Sequence, residues 1–497
     1  MDSPRRFDSN GRPTPAALDD ERRLQARFPG YQGVDSDYVH AGTEALERWW
    51  DWKFGIRIHW SMYSVTANGP ESWPLGKDHG GDPEFREQYE SLSRWWNPSR
   101  FSADSWTDMM VRAGMEFFTF TTKHHDGFSM FDTKTKVRRR RVHTGPDAGK
   151  IADSDLHYSI METPFQRDVV RELVDAGRRR GLGIGLYFSH IDWFDSDFRI
   201  DDWNYQLDPA YSRESDPQGF QRLIARHREQ IRELCSNYGP IDVLSLDMCL
   251  PDDGRPRGLA DGWIGKERRT GIWQDLIETT KMARRLQPTM LMRDRGIGFY
   301  GDYDSPERTV PGNPEALAKL TVPWKVIYPG SKHFSHNWQD RYHPTSWIIE
   351  NLIDITAKGG NFQVGFGPLP TGEWAPGIVH RLEEVGDWLR VNGEGIYATR
   401  PYRVFQEGAG VRFTRTKDNR VVYAFILDRP DAPPAGSIRL ESVRAKPGSA
   451  ITMLGLDHAF RHTQDDKALT IEMPPWWRDE SKRPCRAAYA FKIQSVS

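Results

Sequence analysis

The chain has 497 residues, a length that fits one large domain with a smaller partner. Hydrophobic residues make up 37% and charged residues 28%, as in globular proteins, and a formal net charge of −2 provides no general attraction to nucleic acid or to a membrane surface. Every apolar run is short and interrupted, so no transmembrane span is predicted. The three cysteines, Cys235, Cys249 and Cys485, are too few for a disulfide scaffold or a cysteine metal cluster.

The N-terminal segment is polar and rich in Pro, Arg and Asp. It contains no apolar stretch of the kind found in signal peptides, so we expect a cytoplasmic protein, or a periplasmic or secreted one if a leader was removed. Residues 1–40 are interpreted as an extended arm with one short helix.

From about residue 45, apolar runs of strand length alternate with helical stretches. In chain order the runs are Lys53–Trp60, Phe117–His125, Gly181–Ser189, Ile241–Met248, Thr289–Arg295, Trp324–Tyr328 and Asn361–Gly367. Alternating strands and helices imply parallel βαβ units, and nearly continuous apolar strands indicate a sheet that is covered on both faces. Residues 41–400 are therefore predicted to form a (β/α)8-like TIM barrel, closed or nearly closed.

Residues 401–497 have a different pattern. Short runs are separated by Gly, Pro, Asp and Asn, with no helix-length segment between them; they are Tyr402–Phe405, Val411–Thr414, Val421–Leu427, Ser437–Leu440, Ile451–Met453, Leu469–Glu472 and Ala487–Ile493. This pattern predicts a C-terminal antiparallel β-sandwich.

Polar residues end five successive barrel strands. They are His59, Lys123–Gly127, Tyr187 with Ser189, Asp247, and Arg293–Arg295. Because the carboxyl ends of parallel barrel strands meet at one face, where active sites of such barrels lie, these residues predict a polar pocket.

Two carboxyl groups on either side of a glycosidic bond can cleave it. Asp247 follows an apolar strand directly and would be a good nucleophile if cations keep it ionised, although an acid there can also cap the next helix. Glu307 is the preferred partner acid. Asp302 and Asp304 are alternatives that can instead form turns, and the residues alone favour Glu307 only weakly.

His124 and His125 raise the alternative of a metal-dependent hydrolase. Adjacent strand residues point to opposite faces, and no spaced His, Asp or Glu set completes a metal site. We therefore expect neither a metal nor another cofactor, and we interpret these histidines as hydrogen-bonding partners of sugar hydroxyls.

Several segments resemble, in order, the motifs of glycoside hydrolase family 29, the α-L-fucosidases. They read KFGIRIHWSMYSV, AGMEFFTFTTKHHDGFSMF, RDVVRELVDAGRRRGLGIGLYFSHIDW, IDVLSLDM, RDRGIGFYGDYDSPE, DITAKGGNFQVGFGPLPTGEW and EEVGDWLRVNGEGIYATRPY. The resemblance implies a retaining exo-glycosidase that removes terminal α-L-fucosyl residues from oligosaccharides or polysaccharides by double displacement.

The resemblance also implies roles by position. Asp247 matches the family's nucleophile and Glu307 the acid/base of members that carry a GDY-x-x-PE motif, with carboxyl groups about 5 Å apart for retention. The remaining matches are to sugar-binding residues: His59, Glu71, Trp73, His124, His125, Tyr187, Arg295, and Phe334 against the fucose methyl group.

The chain departs from the family pattern in four places. Ser72 separates Glu71 from Trp73, Ser245 stands where Trp is common, Arg293-Asp294-Arg295-Gly296 replaces Asn-Asp-Arg-Trp, and Phe334-Ser335-His336-Asn337 replaces aromatic-Gly-Tyr-Asn. These changes leave two alternatives open, an α-L-galactosidase-like enzyme and a non-catalytic glycan-binding protein on a decayed barrel. The presence of both carboxylates favours an enzyme.

A basic run lies after the second strand. It consists of Lys134, Lys136, Arg138, Arg139, Arg140 and Arg141, followed by His143. If it opens at the catalytic face, the run predicts contact with an anionic glycan; the alternative is a solvated run of charge.

Overall fold

The N-terminal part of the chain forms a parallel sheet. The computed structural model describes residues 14–15, 34–76, 82–200, 203–247, 272–310, 323–428 and 436–495; most of the predicted arm, Met248 and Cys249 lie outside these ranges. The sheet has the strand order β7-β6-β5-β2-β1-β9-β8, and neighbouring strands are parallel. Its strands are β1 (Phe54–Ile58), β2 (Phe117–Lys123), β5 (Gly183–Ser189), β6 (Val243–Asp247), β7 (Leu291–Met292), β8 (Lys325–Pro329) and β9 (Asn361–Phe366).

Helices connect successive strands as the alternating pattern predicts. Those described are α1 (Thr43–Trp52), α2 (Tyr63–Thr66), α3 (Pro83–Ser91), α4 (Ala103–Arg112), α5 (Val169–Arg179), α6 (Pro217–Asn237), α7 (Ile272–Leu286), α8 (Thr345–Ala357) and α9 (Pro376–Asn392). Side-chain caps start several of them: Ser102, Asp168 and Asp216 each accept a hydrogen bond from a backbone N–H of the first turn. No helix within the described ranges has the length and apolar character needed to cross a bilayer.

Within the described residues, the barrel closes through an irregular segment in place of a regular eighth strand. The strand predicted at Thr289–Arg295 is only two residues long. Between its end and β8, residues 303–307 form parallel bridges to both sides: Tyr303 pairs with Arg293, and Glu307 pairs with Ile327. This closing segment, residues 303–307, therefore takes the place of a strand and brings Glu307 to the carboxyl end of the barrel.

The closing segment is held by a buried carboxylate. Asp302 Oδ2 accepts hydrogen bonds from Arg284 Nη2 at 2.6 Å and Met292 N at 2.7 Å. Its Oδ1 lies 3.2 Å from His40 Nδ1 and accepts from Ala41 N at 3.0 Å. Asp302, weighed from the sequence as an alternative acid or a turn former, instead joins α7, the end of β7 and the residues before α1.

The C-terminal domain is a two-sheet sandwich, as predicted. A six-stranded antiparallel sheet has the order β10-β11-β12-β18-β14-β15 and faces a three-stranded sheet of order β13-β17-β16. Side chains from both sheets share one apolar cluster, for example Phe413 with Leu469. The strands are β10 (Arg400–Glu407), β11 (Val411–Arg415), β12 (Val421–Leu427), β13 (Ser437–Leu440), β14 (Ile451–Met453), β15 (Ala459–Phe460), β16 (His462–Gln464), β17 (Leu469–Glu472) and β18 (Ala488–Gln494).

The sandwich packs on α8 and α9, away from the carboxyl ends of the barrel strands. Trp388 of α9 donates to Ala488 O at 2.9 Å, and its ring lies 6.2 Å from that of Phe425. Arg412 Nε donates to Asp354 Oδ1 of α8 at 2.6 Å. The sandwich therefore covers barrel helices, and no contact of these residues reaches the polar strand ends.

The first prediction concerns the Asp302 anchor. Replacing Arg284 by Met leaves the Asp302 carboxylate buried without its cation, so we expect a loss of about 3–5 kcal/mol in the free energy of unfolding. Denaturant unfolding followed by circular dichroism measures it. Arg100→Met is the control, because Arg100 pairs with Glu373 on the surface and should cost less than about 1 kcal/mol. Equal losses in the two variants would contradict this assignment.

Candidate active site

Asp247 lies at the carboxyl end of β6 and is buried among three hydrogen-bond donors. Its Oδ2 accepts from Tyr187 Oη at 2.7 Å, and its Oδ1 accepts from Arg295 Nη1 at 2.6 Å and from Arg293 Nη1 at 3.2 Å. Burial alone would raise the pKa of Asp247, but Arg295 and Arg293, aided by His125, hold it well below the usual range. The carboxylate is therefore ionised and oriented, as a nucleophile must be.

Glu307, at the end of the closing segment, shares Arg295 with Asp247. Arg295 Nη2 donates to Glu307 Oε2 at 2.7 Å, so a single guanidinium spans the two carboxylates. The Glu307 side chain is 34% exposed, whereas that of Asp247 is 12% exposed. Burial raises the pKa of Glu307, but the contact with Arg295 outweighs it and lowers the pKa below its ordinary value. Glu307 thus lies at the open side and Asp247 at the closed side of one site.

Aromatic and imidazole rings line the space beside Asp247. The His59 ring centroid lies 5.4 Å from that of Tyr187 and 5.5 Å from that of His124, and His125 Nδ1 is 2.7 Å from Ser189 Oγ. Burial lowers the pKa of all three histidines, that of His125 to about 4. The imidazoles are therefore neutral near pH 7 and suited to donate to and accept from sugar hydroxyls.

Two loops are joined beside these rings. Glu71 Oε1, in the loop after β1, accepts from Ser335 N at 2.8 Å, and Ser335 Oγ accepts from Glu71 N at 3.1 Å. Phe334, next to Ser335 in the loop after β8, has its ring 5.4 Å from that of His59. The reciprocal pair holds Phe334 against the pocket.

The inserted Ser72 has a structural partner. Ser72 Oγ lies 2.5 Å from His124 Nδ1, while Trp73 packs edge-on against His125 at 5.4 Å between ring centroids. Glu71, Ser72 and Trp73 therefore each contact the site through a different neighbour, which the residue order alone does not reveal.

The structure brings all ten predicted site residues into one connected group, and their roles stay predictions. Sequence reasoning placed Arg293 among the polar residues at the strand ends but gave it no role at the site, yet it contacts Asp247 directly. It missed Arg57, a fully buried cation of β1 whose Nη2 donates to Ser245 Oγ at 3.2 Å. Arg57 could have been identified from the sequence, because it is a charged residue at an inward-facing position of an otherwise apolar strand.

Metal ligation is a separate question. Within the described residues, no three His, Cys, Asp or Glu side chains are grouped as a metal ion requires. His124 and His125, whose ring centroids are 4.1 Å apart, instead have serine partners.

The basic run forms a hairpin. Strands β3 (Val137–Arg141) and β4 (Ile151–Leu156) pair antiparallel, and carboxylates accompany most of the cations. Lys136 and Arg138 both contact Asp155, and Arg140 contacts Glu90 at 3.0 Å. The hairpin is therefore largely charge-compensated, which differs from the open basic loop that the sequence suggested.

Two carboxylates joined by one guanidinium, where the strands of a barrel end, are equipped to cleave a glycosidic bond. We therefore assign the fold and the site to the glycoside hydrolases. A family model described as "Alpha-L-fucosidase" matches residues 34–394, and one described as "Alpha-L-fucosidase C-terminal domain" matches residues 407–494. The chain belongs to the α-L-fucosidase family.

Individual relatives agree with this placement. The chain is 25% identical over 476 residues to tissue alpha-L-fucosidase of Homo sapiens, covering 93% of this chain and 91% of that protein. It is similar to alpha-L-fucosidase isoenzyme 1 from Paenibacillus thiaminolyticus, with a TM-score of 0.71, 26% identity and coverage of 91% and 99%. A trapped covalent intermediate of a GH29 alpha-L-fucosidase from Bacteroides thetaiotaomicron has a TM-score of 0.73 at 20% identity, with coverage of 93% and 98%.

The second prediction uses the pKa of Glu71, which burial raises from 4.5 to about 7. A carboxyl that binds its proton more tightly when folded contributes stability that is fully present below about pH 4.5 and lost as the pH rises to about 7. Glu71→Gln keeps an oxygen for Ser335 N–H and cannot ionise. Between about pH 4 and about pH 8, the wild type should therefore lose about 3 kcal/mol more than the variant in free energy of unfolding.

Denaturant unfolding at the two pH values measures this difference. Glu373→Gln, at an exposed carboxyl, is the control and should keep the pH dependence of the wild type. The same pH dependence in Glu71→Gln as in the wild type would show that Glu71 titrates normally.

Proposed function

We propose that this protein is a retaining exo-α-L-fucosidase that removes terminal α-L-fucosyl residues from oligosaccharides or polysaccharides. Family membership supports the sugar and the reaction class. The observation that carries the proposal for this chain is the bridge of Arg295 between Asp247 and Glu307, because it places two carboxylates of different exposure in one site. The trapped covalent intermediate of the Bacteroides thetaiotaomicron relative supports double displacement.

In the first step, an Asp247 oxygen attacks the anomeric carbon. The bond from that carbon to the leaving oxygen breaks, Glu307 gives its proton to the leaving oxygen, and an ester joins the sugar to Asp247. Arg295 keeps Glu307 ionised in the free protein, so substrate must loosen that contact before Glu307 can carry a proton. A sugar hydroxyl that accepts from Arg295 would do this.

In the second step, Glu307 acts as a base. It takes a proton from water, the resulting hydroxide attacks the anomeric carbon, and the ester to Asp247 breaks. Two inversions restore the original configuration. The proton returns to Glu307, so the cycle needs no other source of protons.

The sugar is proposed from the walls of the pocket. Neutral His59, His124 and His125 offer hydrogen bonds to hydroxyls, and Phe334 offers an apolar ring for the methyl group that distinguishes fucose from L-galactose. Asp155 and Glu90 already pair with Lys136, Arg138 and Arg140 of the basic hairpin, so the proposed substrate carries no anionic group.

The third prediction tests class and nucleophile together. The wild type should release nitrophenol from 4-nitrophenyl α-L-fucoside faster than from the α-L-galactoside or the β-D-galactoside, with or without a chelator. Asp247→Asn should lower that rate by on the order of 10³-fold or more, because the amide cannot form the ester. Asp242→Asn, at the amino end of the same strand region, is the control and should keep activity per folded molecule.

Three outcomes would contradict the proposal. If no aryl glycoside is hydrolysed while fucosylated glycans still bind, the protein would be a glycan-binding protein. Faster hydrolysis of the α-L-galactoside would identify L-galactose, and not fucose, as the preferred sugar. Loss of activity with chelator would favour a metal-dependent mechanism.

The fourth prediction separates the role of Glu307 from that of Asp247. Glu307→Gln should lose activity on fucosides with poor leaving groups but form the fucosyl-enzyme from an activated fucoside, because that step then needs no acid. Azide, which needs no base, should restore turnover and give a fucosyl azide of the same configuration as the substrate. Azide should not rescue Asp247→Asn in this way. An unrescued Glu307→Gln with normal folding would move the acid/base role to another residue.

A further inference from the structure

Three cationic side chains lie inside the barrel, one layer deeper than the proposed reacting groups. Arg57 precedes His59 by two residues on β1, and Arg293 precedes Arg295 by two residues after β7. Both cations point into the barrel interior, because Arg57 Nη2 donates to Ser245 Oγ of β6 and Arg293 Nη1 to Asp247 Oδ1 at the end of β6. Lys325 of β8 is the third, and it precedes by two residues Ile327, which pairs with Glu307. We call Arg57, Arg293 and Lys325 the cationic layer.

The cationic layer is unusual for a barrel interior, which bulky apolar residues generally fill. Its three side chains are at most 2% exposed. Ser245, which precedes Asp247 by two residues, lies in the same layer and accepts from Arg57 Nη2 at 3.2 Å.

Several hydrogen-bond donors of this layer have no partner. Within the described part of the chain, Arg57 Nε and Nη1, Arg293 Nε and Lys325 Nζ are buried without an acceptor. The hydroxyl of Ser305 is also unpaired there. Buried donors in native proteins nearly always have a partner, and an ordered water or ion supplies it when the protein does not.

The charges of this layer are also unbalanced. Arg293 reaches Asp247 and lies 3.8 Å from Glu307, but Arg295 shares both carboxylates. Lys325 Nζ lies 5.0 Å from the ring centroid of Tyr303. Burial first, and then the positive charges of Arg57 and Arg293, lower the pKa of Lys325 well below its ordinary value. Protonation of Lys325 is therefore opposed by burial and by the two arginines.

We propose that the cationic layer binds a small monovalent inorganic anion of the chloride class. Guanidinium, ammonium and hydroxyl donors are the groups that hold such an ion, and a single negative charge offsets part of the excess positive charge. The enclosed position excludes large or branched anions. The bound anion stabilises the protonated form of Lys325 and weakens the pull of Arg293 on Asp247, so it supports both folding and nucleophilic attack.

Bromide, which scatters anomalously, locates the ion directly. Crystals of the wild-type protein equilibrated with sodium bromide should give an anomalous difference peak in contact with Lys325 Nζ and an Arg57 nitrogen. A peak absent there, with water density in its place, would overturn the proposal and indicate a neutral lysine in a hydrated layer.

Thermal unfolding provides a second measurement that needs no turnover. In sodium gluconate at constant ionic strength, replacement of gluconate by chloride or bromide should raise the midpoint of unfolding by about 3 °C or more and then saturate, as a ligand of the folded state does. A midpoint of unfolding that changes linearly with salt concentration, or equally in gluconate and halide, would contradict a specific site.

Variants assign the effect to these residues. Lys325→Met and Arg57→Leu should each remove the saturable response. Lys53→Met is the matched control, because Lys53 is another fully buried lysine, in the residue before β1, but its charged neighbours are Arg400, Asp51 and Glu47 and not the cationic layer. A response retained in Lys325→Met, or lost in Lys53→Met, would place the ion elsewhere. Neither readout depends on fucosidase activity, so the two proposals can fail separately.

Discussion

The bridge of Arg295 between Asp247 and Glu307 is the interaction on which the site depends. Two carboxylates so close would repel each other and one would take up a proton, unless a cation lies between them. The guanidinium has donors in a planar fork, so it fixes the separation and orientation of both groups as well as their charge. The remaining site residues surround a geometry that this one contact sets.

The bridge in turn depends on how the barrel closes. A regular strand would alternate its side chains and leave little freedom in placing an acid at its end. The closing segment instead makes a few bridges to β7 and β8, and the buried carboxylate of Asp302 holds its start against Arg284. Glu307 is thereby positioned by a buried ion pair at the other end of the same short segment.

Much of the fold and part of the site followed from the sequence. The positions of Asp247 and Tyr187 were predictable, because each carries a polar group at or near the carboxyl end of an apolar strand. The residues around Glu307 indicated it only weakly as the second acid, because residues 303–307 show no strand pattern. Its selection therefore depended on the family resemblance. The buried ion pair of Asp302 was not predicted, because its partner Arg284 is 18 positions away and the neighbouring residues do not indicate such a pairing.

Arg293 and Arg295 both contact Asp247, but they differ in exposure and in their other partners. Arg293 is 1% exposed and also donates to Ser305 O, so it keeps its position whether or not substrate is bound. Arg295 is 24% exposed and contacts both carboxylates, so a sugar hydroxyl can reach it and accept a hydrogen bond from it. In the proposed mechanism, two fixed cations would hold Asp247 ionised but too tightly paired to attack readily, and Glu307 could not take a proton. Under that proposal, one buried and one partly exposed cation allow Asp247 to remain ionised while Glu307 changes its protonation state.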